Sequence, residues 1–365
     1  MADAAAPELR ERLNAARFRA IGALLAEGQP GFDAPRFVTL ASDGLESLTL
    51  LQRLRHGARA LRATLPPSYP AALAVLRTLA PKLADGLAGL MLPDFVGEYG
   101  HGHFAESMDA LEYLTRFSSA EFAIREFLRR DLEGTLAVME RWSRSPDEHV
   151  RRLASEGSRP RLPWSFRLEP LRADPHRTAS ILANLRADPS LYVRKSVANH
   201  LNDISHDHPE VMLARLRSWD LAHPHTQWIA KRAARTLIKA GHPGALALFN
   251  FGRRPAVTFS GLRVQPRRLR LGEVLTLMFT LTSTARRAQD LAIDYVVHYV
   301  KASGATSAKV FKLRELTLAP GGSVTLTKRQ TVRNFTTRRH HPGRHRVEIQ
   351  VNGRILGAGA FDLRT

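Results

Sequence analysis

The chain has 365 residues, no cysteine, and 54 Lys plus Arg against 34 Asp plus Glu, for a formal charge of +20. Without cysteine there is no disulfide framework, thiolate metal site or cysteine nucleophile, so stability must come from packing. The charge makes a polyanion the first partner to expect, and no stretch of membrane-spanning length is free of charge.

The N-terminus, Met1-Ala-Asp-Ala-Ala-Ala-Pro-Glu8, lacks the basic start and long apolar run of a secretory signal, so the expected location is cytoplasmic. From about residue 8 to 250 apolar residues recur at three and four, as in Leu9, Leu13, Ala16 and Ile21, or Leu132, Leu136, Val138 and Met139. That period predicts helices. Leu92-Pro-Asp-Phe-Val-Gly-Glu-Tyr-Gly-His-Gly-His103, rich in Gly and aromatic residues, reads as an ordered loop between them. Ser118-Ser-Ala-Glu121 and Asp207-His-Pro-Glu210 both have the form of a capping box ahead of an apolar run.

A weak internal repeat runs through the second half of this helical part. Trp142-Ser-Arg-Ser-Pro-Asp-Glu-His-Val-Arg-Arg and Leu185-Arg-Ala-Asp-Pro-Ser-Leu-Tyr-Val-Arg-Lys share one pattern 43 residues apart, and a looser copy runs from Trp219 to Ile229-Ala-Lys-Arg-Ala-Ala. A period of about 40–47 residues belongs to stacked helix pairs of the HEAT type. Arg151, Arg152, Arg194, Lys195, Lys231 and Arg232 recur early in the second helix of each unit. There, side chains and helix N-termini can face phosphates, so these residues are expected to grip a nucleic-acid backbone rather than read bases.

After Phe251-Gly-Arg-Arg-Pro255 the period changes to two. About seven short apolar-alternating runs follow, separated by turn signals such as Ala319-Pro-Gly-Gly322 and Val351-Asn-Gly353. This is the size and rhythm of an immunoglobulin-like sandwich. The predicted fold is therefore multidomain: an all-α HEAT-like repeat solenoid over 1–252 and an all-β sandwich over 256–365. The stretch from Ala256 onward holds +13 of the +20 charge. It is expected to add phosphate contacts from Arg267-Arg-Leu-Arg270 and from Arg338-Arg339-His-His-Pro-Gly-Arg-His-Arg346.

Leu92-Pro-Asp-Phe-Val-Gly-Glu-Tyr-Gly, Glu121-Phe-Ala-Ile-Arg-Glu-Phe, Arg161-Leu-Pro-Trp164 and Val193-Arg-Lys-Ser-Val-Ala-Asn-His-Leu-Asn-Asp203 together resemble the AlkC branch of the HEAT-like-repeat alkylpurine DNA glycosylases. The resemblance covers the whole helical part, and the β-rich tail looks like the immunoglobulin-like domain that some members carry. It implies removal of cationic alkylated bases, chiefly 3-methyladenine, from duplex DNA in base excision repair. It also implies catalytic roles for Glu121, Trp164 and Asp203, and Arg161 is added to the DNA contacts.

The chemistry can be argued beside the family. A base methylated at N3 is already cationic, so its glycosidic bond is weak and no strong general acid is needed. The sugar becomes oxocarbenium-like as the bond breaks; a carboxylate can stabilise it and orient water, and an aromatic face adds cation–π attraction. Glu121 could instead be only the partner of Ser118 in a capping box, and Trp164 an inter-helix packing residue. Asp203 falls near the C-terminal end of its helix, where the macrodipole disfavours a carboxylate.

No cofactor is expected. The pairs His101/His103, His206/His208 and His223/His225 lack metal-site spacing and a thiolate partner, so no metal is expected either. No phosphate-cradling loop or serine nucleophile elbow occurs. Strand cleavage would need an amine near the sugar; Lys195 is the nearest candidate, but its repeat position favours phosphate, so a monofunctional monomer is expected. The competing class is a non-catalytic DNA-binding or adaptor solenoid, with an RNA-binding repeat protein behind it.

Overall fold

The computed structural model describes residues 9–84, 86–335 and 339–364. They form two compact units: one runs to His208 and includes Trp219–Ala233, and the other joins Pro209–Ser218 to the chain from Ala234 onward.

The first unit is helical and built in layers. The helices Leu50–Thr64, Met91–Tyr99, Glu121–Arg130, Glu148–Gly157, Leu191–Ile204 and Pro224–Ala233 form a row in which each packs on the next. Tyr69–Leu79, Phe104–Leu114, Leu132–Trp142 and Ala179–Asn184 supply a second layer against them. Val150, Val193 and Ile229, the aliphatic residues shared by the three repeat copies, are all fully buried. Two glycines let the row close up. A Cβ on Gly97 would lie 3.1 Å from the Ala123 Cα, and one on Gly157 would lie 2.4 Å from the Ile124 methyl.

The repeat is visible in hydrogen bonds as well as in packing. Arg151 Nη1 donates to the carbonyls of Ser145 and Pro146 at 3.0 and 2.9 Å. One repeat later Arg194 Nη1 donates to those of Asp188 and Pro189 at 2.8 and 2.7 Å. Each arginine thus closes the turn that precedes its own helix.

Three local expectations change. Met91–Tyr99 is a helix, not a loop; only Gly100–His103 turns. Pro93 sits in its first turn, where no donor is lost, and Gly97 is there for contact with the neighbouring helix rather than for chain reversal. Neither expected capping box forms as read. Glu121 opens its helix behind Ala120, and its carboxylate accepts from Arg152. The Asp207 carboxylate is bonded to Arg161 and Arg172. Charge-assisted bonds from guanidinium groups outweigh a neutral cap.

The second unit contains the sandwich. Its strands are β1 (Val257–Gln265), β2 (Arg268–Arg270), β3 (Val274–Ser283), β4 (Gln289–Val300), β5 (Thr306–Leu318), β6 (Ser323–Thr331), β7 (Gly343–Val351) and β8 (Arg354–Arg364). One sheet has the order β1-β3-β6 and the other β2-β8-β7-β4-β5. All pairs are antiparallel except β2 with β8. Strand alternation places Leu277, Phe279 and Leu281 from one sheet and Ile293, Tyr295, Val347 and Ile349 from the other in one core. The short helices Pro209–Arg217, Arg235–Lys239 and Pro243–Leu248 cluster with these strands. Gln350 donates to the Lys239 carbonyl at 3.2 Å. Among the described residues no helix is long and apolar enough to cross a membrane.

Candidate active site

The helices 121–130, 148–157 and 191–204 each contribute acid to one continuous chain of ion pairs. Glu121, at the first position of its helix, accepts from Arg152 Nη1 at 2.9 Å. Arg152 lies 3.6 Å from Glu156, one turn further along the same helix. Glu156 in turn accepts from Arg159 at 2.7 Å. Arg159 closes the chain on Asp203 with two parallel bonds of 2.8 and 3.1 Å.

The chain holds three carboxylates and two guanidinium groups, and the buried Arg125 cation lies close enough to act on Asp203, Glu156 and Arg159. Burial pushes the Asp203 carboxyl above the ordinary aspartate value, and the bonds from Arg159 only partly offset it. Burial acts on Glu156 in the same sense, but Arg152 and Arg159 together hold it below its usual value. Asp203 is thus the acid of the chain for which burial outweighs its partners.

Trp164 lies on the irregular segment between Gly157 and Glu169, which also carries Arg159. It is 68% exposed and has φ of +65°. An L-residue with a bulky side chain rarely adopts that backbone, and strain of this kind collects where structure serves function. The exposure does not fit the alternative in which Trp164 packs between helices: the residue stands largely in solvent.

What holds the segment is Arg125, one turn after Glu121 on the same helix. Its side chain is fully buried. It donates to Ser165 Oγ at 3.0 Å, to the carbonyls of Gly157 and Arg159 at 3.1 and 2.6 Å, and to the Phe166 carbonyl. Its guanidinium also lies 5.2 Å from the centre of the Phe166 ring. Burial, with the positive charge of Arg159 adding to it, pulls the Arg125 pKa down to about 10, so it remains a cation at neutral pH. On the outer side, Arg161 bonds Asp207 at 2.6 and 2.9 Å.

Of the expected acids and aromatic, the structure joins Glu121 and Asp203 through one ion-pair chain and places Trp164 on the segment that also carries Arg159. The basic residues divide. Arg151 is held by Asp188 at 2.7 and 3.1 Å, Arg152 by the chain just described, and Arg161 by Asp207. Arg194 and Arg232 flank the Trp228 ring at 5.8 and 5.5 Å. Lys195 is exposed, Lys231 is half-buried, and Arg339 is exposed, while Arg338 lies outside the described residues. Sequence reasoning missed Arg125, Glu156 and Arg159. The four-residue step from Glu121 to Arg125, and the Glu156-x-x-Arg159 step at a helix end, were the available signals. Among the described residues no group of three His, Asp or Glu side chains converges as a metal site would require.

Residues 111–238 match the family model described as "DNA alkylation repair enzyme". Residues 258–365 match the model "Uncharacterised protein YhaZ, C-terminal Ig-like domain". The protein YhaZ of Bacillus subtilis (strain 168) is 42% identical over 335 residues, 92% of this chain and 93% of the relative. The structure of Pseudomonas fluorescens alkylpurine DNA glycosylase AlkC bound to DNA containing an abasic site analog is 50% identical, covering 98% of this chain and 100% of that one, with a TM-score of 0.96. A helical part followed by a two-sheet domain, the buried acid chain and these likenesses agree, and the chain belongs to the DNA alkylation repair enzyme family, in its AlkC-like form with a C-terminal Ig-like domain.

Proposed function

We propose that this protein is a monofunctional DNA glycosylase that hydrolyses the bond between deoxyribose and a cationic alkylated base, chiefly 3-methyladenine, in duplex DNA. The observation that carries the reading is the buried ion-pair chain that joins Glu121 to Asp203, with the exposed Trp164 on the segment that carries Arg159.

In the proposed reaction the C1′–N bond breaks with both electrons passing to the base, whose positive charge is thereby cancelled. The cationic sugar left behind faces the carboxylates of Asp203 and Glu121 and the ring of Trp164. One carboxylate orients a water whose oxygen bonds to C1′ and whose proton passes to that carboxylate and on to solvent. No lysine attack on the sugar is required, so the strand stays intact and Lys195 serves as a phosphate contact.

Arg194, Lys195, Lys231 and Arg232, with Arg338 and Arg339 from the C-terminal part, would hold the DNA backbone, with the division of labour falling between 1–252 and 256–365. Arg151, Arg152 and Arg161 are held in ion pairs that orient the helical elements on which phosphates would rest. The protein would act as a monomer. The AlkC relative bound to DNA containing an abasic site analog supports DNA as the partner.

The test is release of free base from dimethyl-sulfate-treated duplex DNA, with Asp203→Asn run beside the intact chain. Release of 3-methyladenine by the intact chain alone supports the reading; equal release by both, or by neither, overturns it.

A further inference from the structure

A second cavity of the helical unit opens beside Trp164. It has a volume of about 320 Å³, within the range of small-molecule sites, and lies among the helices Leu50–Thr64, Met91–Tyr99 and Glu121–Arg130 and the Trp164 segment. Phe122, Trp164 and Phe166 line it, with the guanidinium groups of Arg125 and Arg129 already over the Phe166 ring. Gln52, Ser119 and Ser165 add uncharged polar groups.

Its charged lining is already paired. Asp94 accepts from Arg55 at 2.6 and 2.9 Å, and Glu126 accepts from Arg129. The lining therefore suits a neutral planar heterocycle with hydrogen-bonding edges better than a phosphate, which would need unpaired donors. Stacking on an aromatic face favours any base with a π-surface.

We infer that this cavity receives the released base. The inference rests on the glycosylase reading above. Before bond cleavage the lesion is cationic and is attracted to the acid chain that ends at Asp203. Once the bonding electrons have passed to the base it is neutral, and that attraction disappears. Trp164 lines the cavity and stands on the segment that carries Arg159, the partner of Asp203, so the base would pass along this segment from the acids to the cavity. Departure of the base from the sugar is thereby separated from its departure from the protein.

Equilibrium dialysis of the full chain against radiolabelled 3-methyladenine tests this, with and without a duplex carrying an abasic-site analogue. Saturable binding of one base per chain is expected, changed by less than about twofold by the abasic duplex. Leu51 is 37% exposed at the rim and takes no part in the acid chain. Leu51→Trp, which fills the mouth without touching the buried core, is expected to weaken binding by about tenfold while single-turnover base release is unchanged. No saturable binding by a chain that does release base from methylated DNA sinks the cavity proposal and leaves the glycosylase reading standing. Displacement by the abasic duplex, or binding indifferent to Leu51→Trp in a variant that melts like the intact chain, also overturns it. Failure of the intact chain to release any base removes both.

Discussion

Arg159 grips Asp203 with two parallel hydrogen bonds, and each side chain is about nine-tenths covered. The proposed catalytic carboxylate is therefore also one end of a structural ion pair, and the two roles can be separated by substitution. Asp203→Asn keeps shape and much of the hydrogen bonding, so base release should fall by about 10²–10³-fold while DNA affinity stays close to that of the intact chain. Arg159→Met removes the partner and leaves a buried charge uncompensated, so it should destabilise the fold by about 3–5 kcal/mol in denaturant titrations. A larger stability loss in Asp203→Asn than in Arg159→Met would contradict this division.

Arg125 should behave as a positioning residue. Arg125→Ala removes bonds to three carbonyls and a hydroxyl. Base release should drop by about 10²-fold while DNA binding changes little, because a displacement of about 1 Å near reacting groups is enough for such a loss. Guanidinium ion at low millimolar concentration should restore part of the rate by entering the vacated space. Arg125→Lys, which cannot make the same fork of bonds, should not. A variant that loses affinity and rate in parallel, with no rescue, would mean that Arg125 only supports the fold.

Trp164 should show opposed effects on stability and activity. Its ring is mostly in solvent and its backbone is strained. Trp164→Gly relieves a conformation that costs a bulky residue about 1–3 kcal/mol, so the melting temperature should stay level or rise. Base release should fall at the same time. A clear drop in melting temperature would show that the ring is a packing residue after all.

Asp294 in β4 offers a pH test confined to the sandwich unit. Burial raises its carboxyl to about 6, against an unfolded value near 3.8, with Lys239 and Lys312 only partly opposing. The folded state therefore holds a proton that the unfolded state has released between those values. The penalty for ionising Asp294 in the fold is fully present above pH 6 and fades as pH falls toward 4. Asp294→Asn should raise the denaturation midpoint at pH 7.5, by about 1–2 kcal/mol, and do little at pH 4.5. An equal effect at both values would show that charge is not the cause.

The change of hydrophobic period near Pro255 was enough to separate helices from strands, because alternation and turn residues are local signals. The helix Met91–Tyr99 was hidden because Pro93, Gly97 and Gly100 resemble loop chemistry one by one. Gly97 is explained only by Ala123 on the neighbouring helix, which a linear reading does not place there. Glu121, Trp164 and Asp203 were reached through a family resemblance, with general chemistry supporting the choice. The pairs Arg152–Glu121 and Arg159–Asp203 bridge 31 and 44 positions, so nothing in either local pattern announces them. The arginines of the repeat were visible as a pattern, but not the carbonyls of Ser145, Pro146, Asp188 and Pro189 to which they are bound.

Stacked-helix proteins commonly lengthen or shorten by whole units, since each unit touches only its neighbours. The chain of charges from Glu121 to Asp203 removes that freedom in the middle of this one. An inserted unit would move the acids apart by the thickness of a helix pair and leave Arg152 without Glu121 or Arg159 without Asp203. Between these two acids the number of units is set by ion pairing, and growth of the stack can be accommodated only on either side of them.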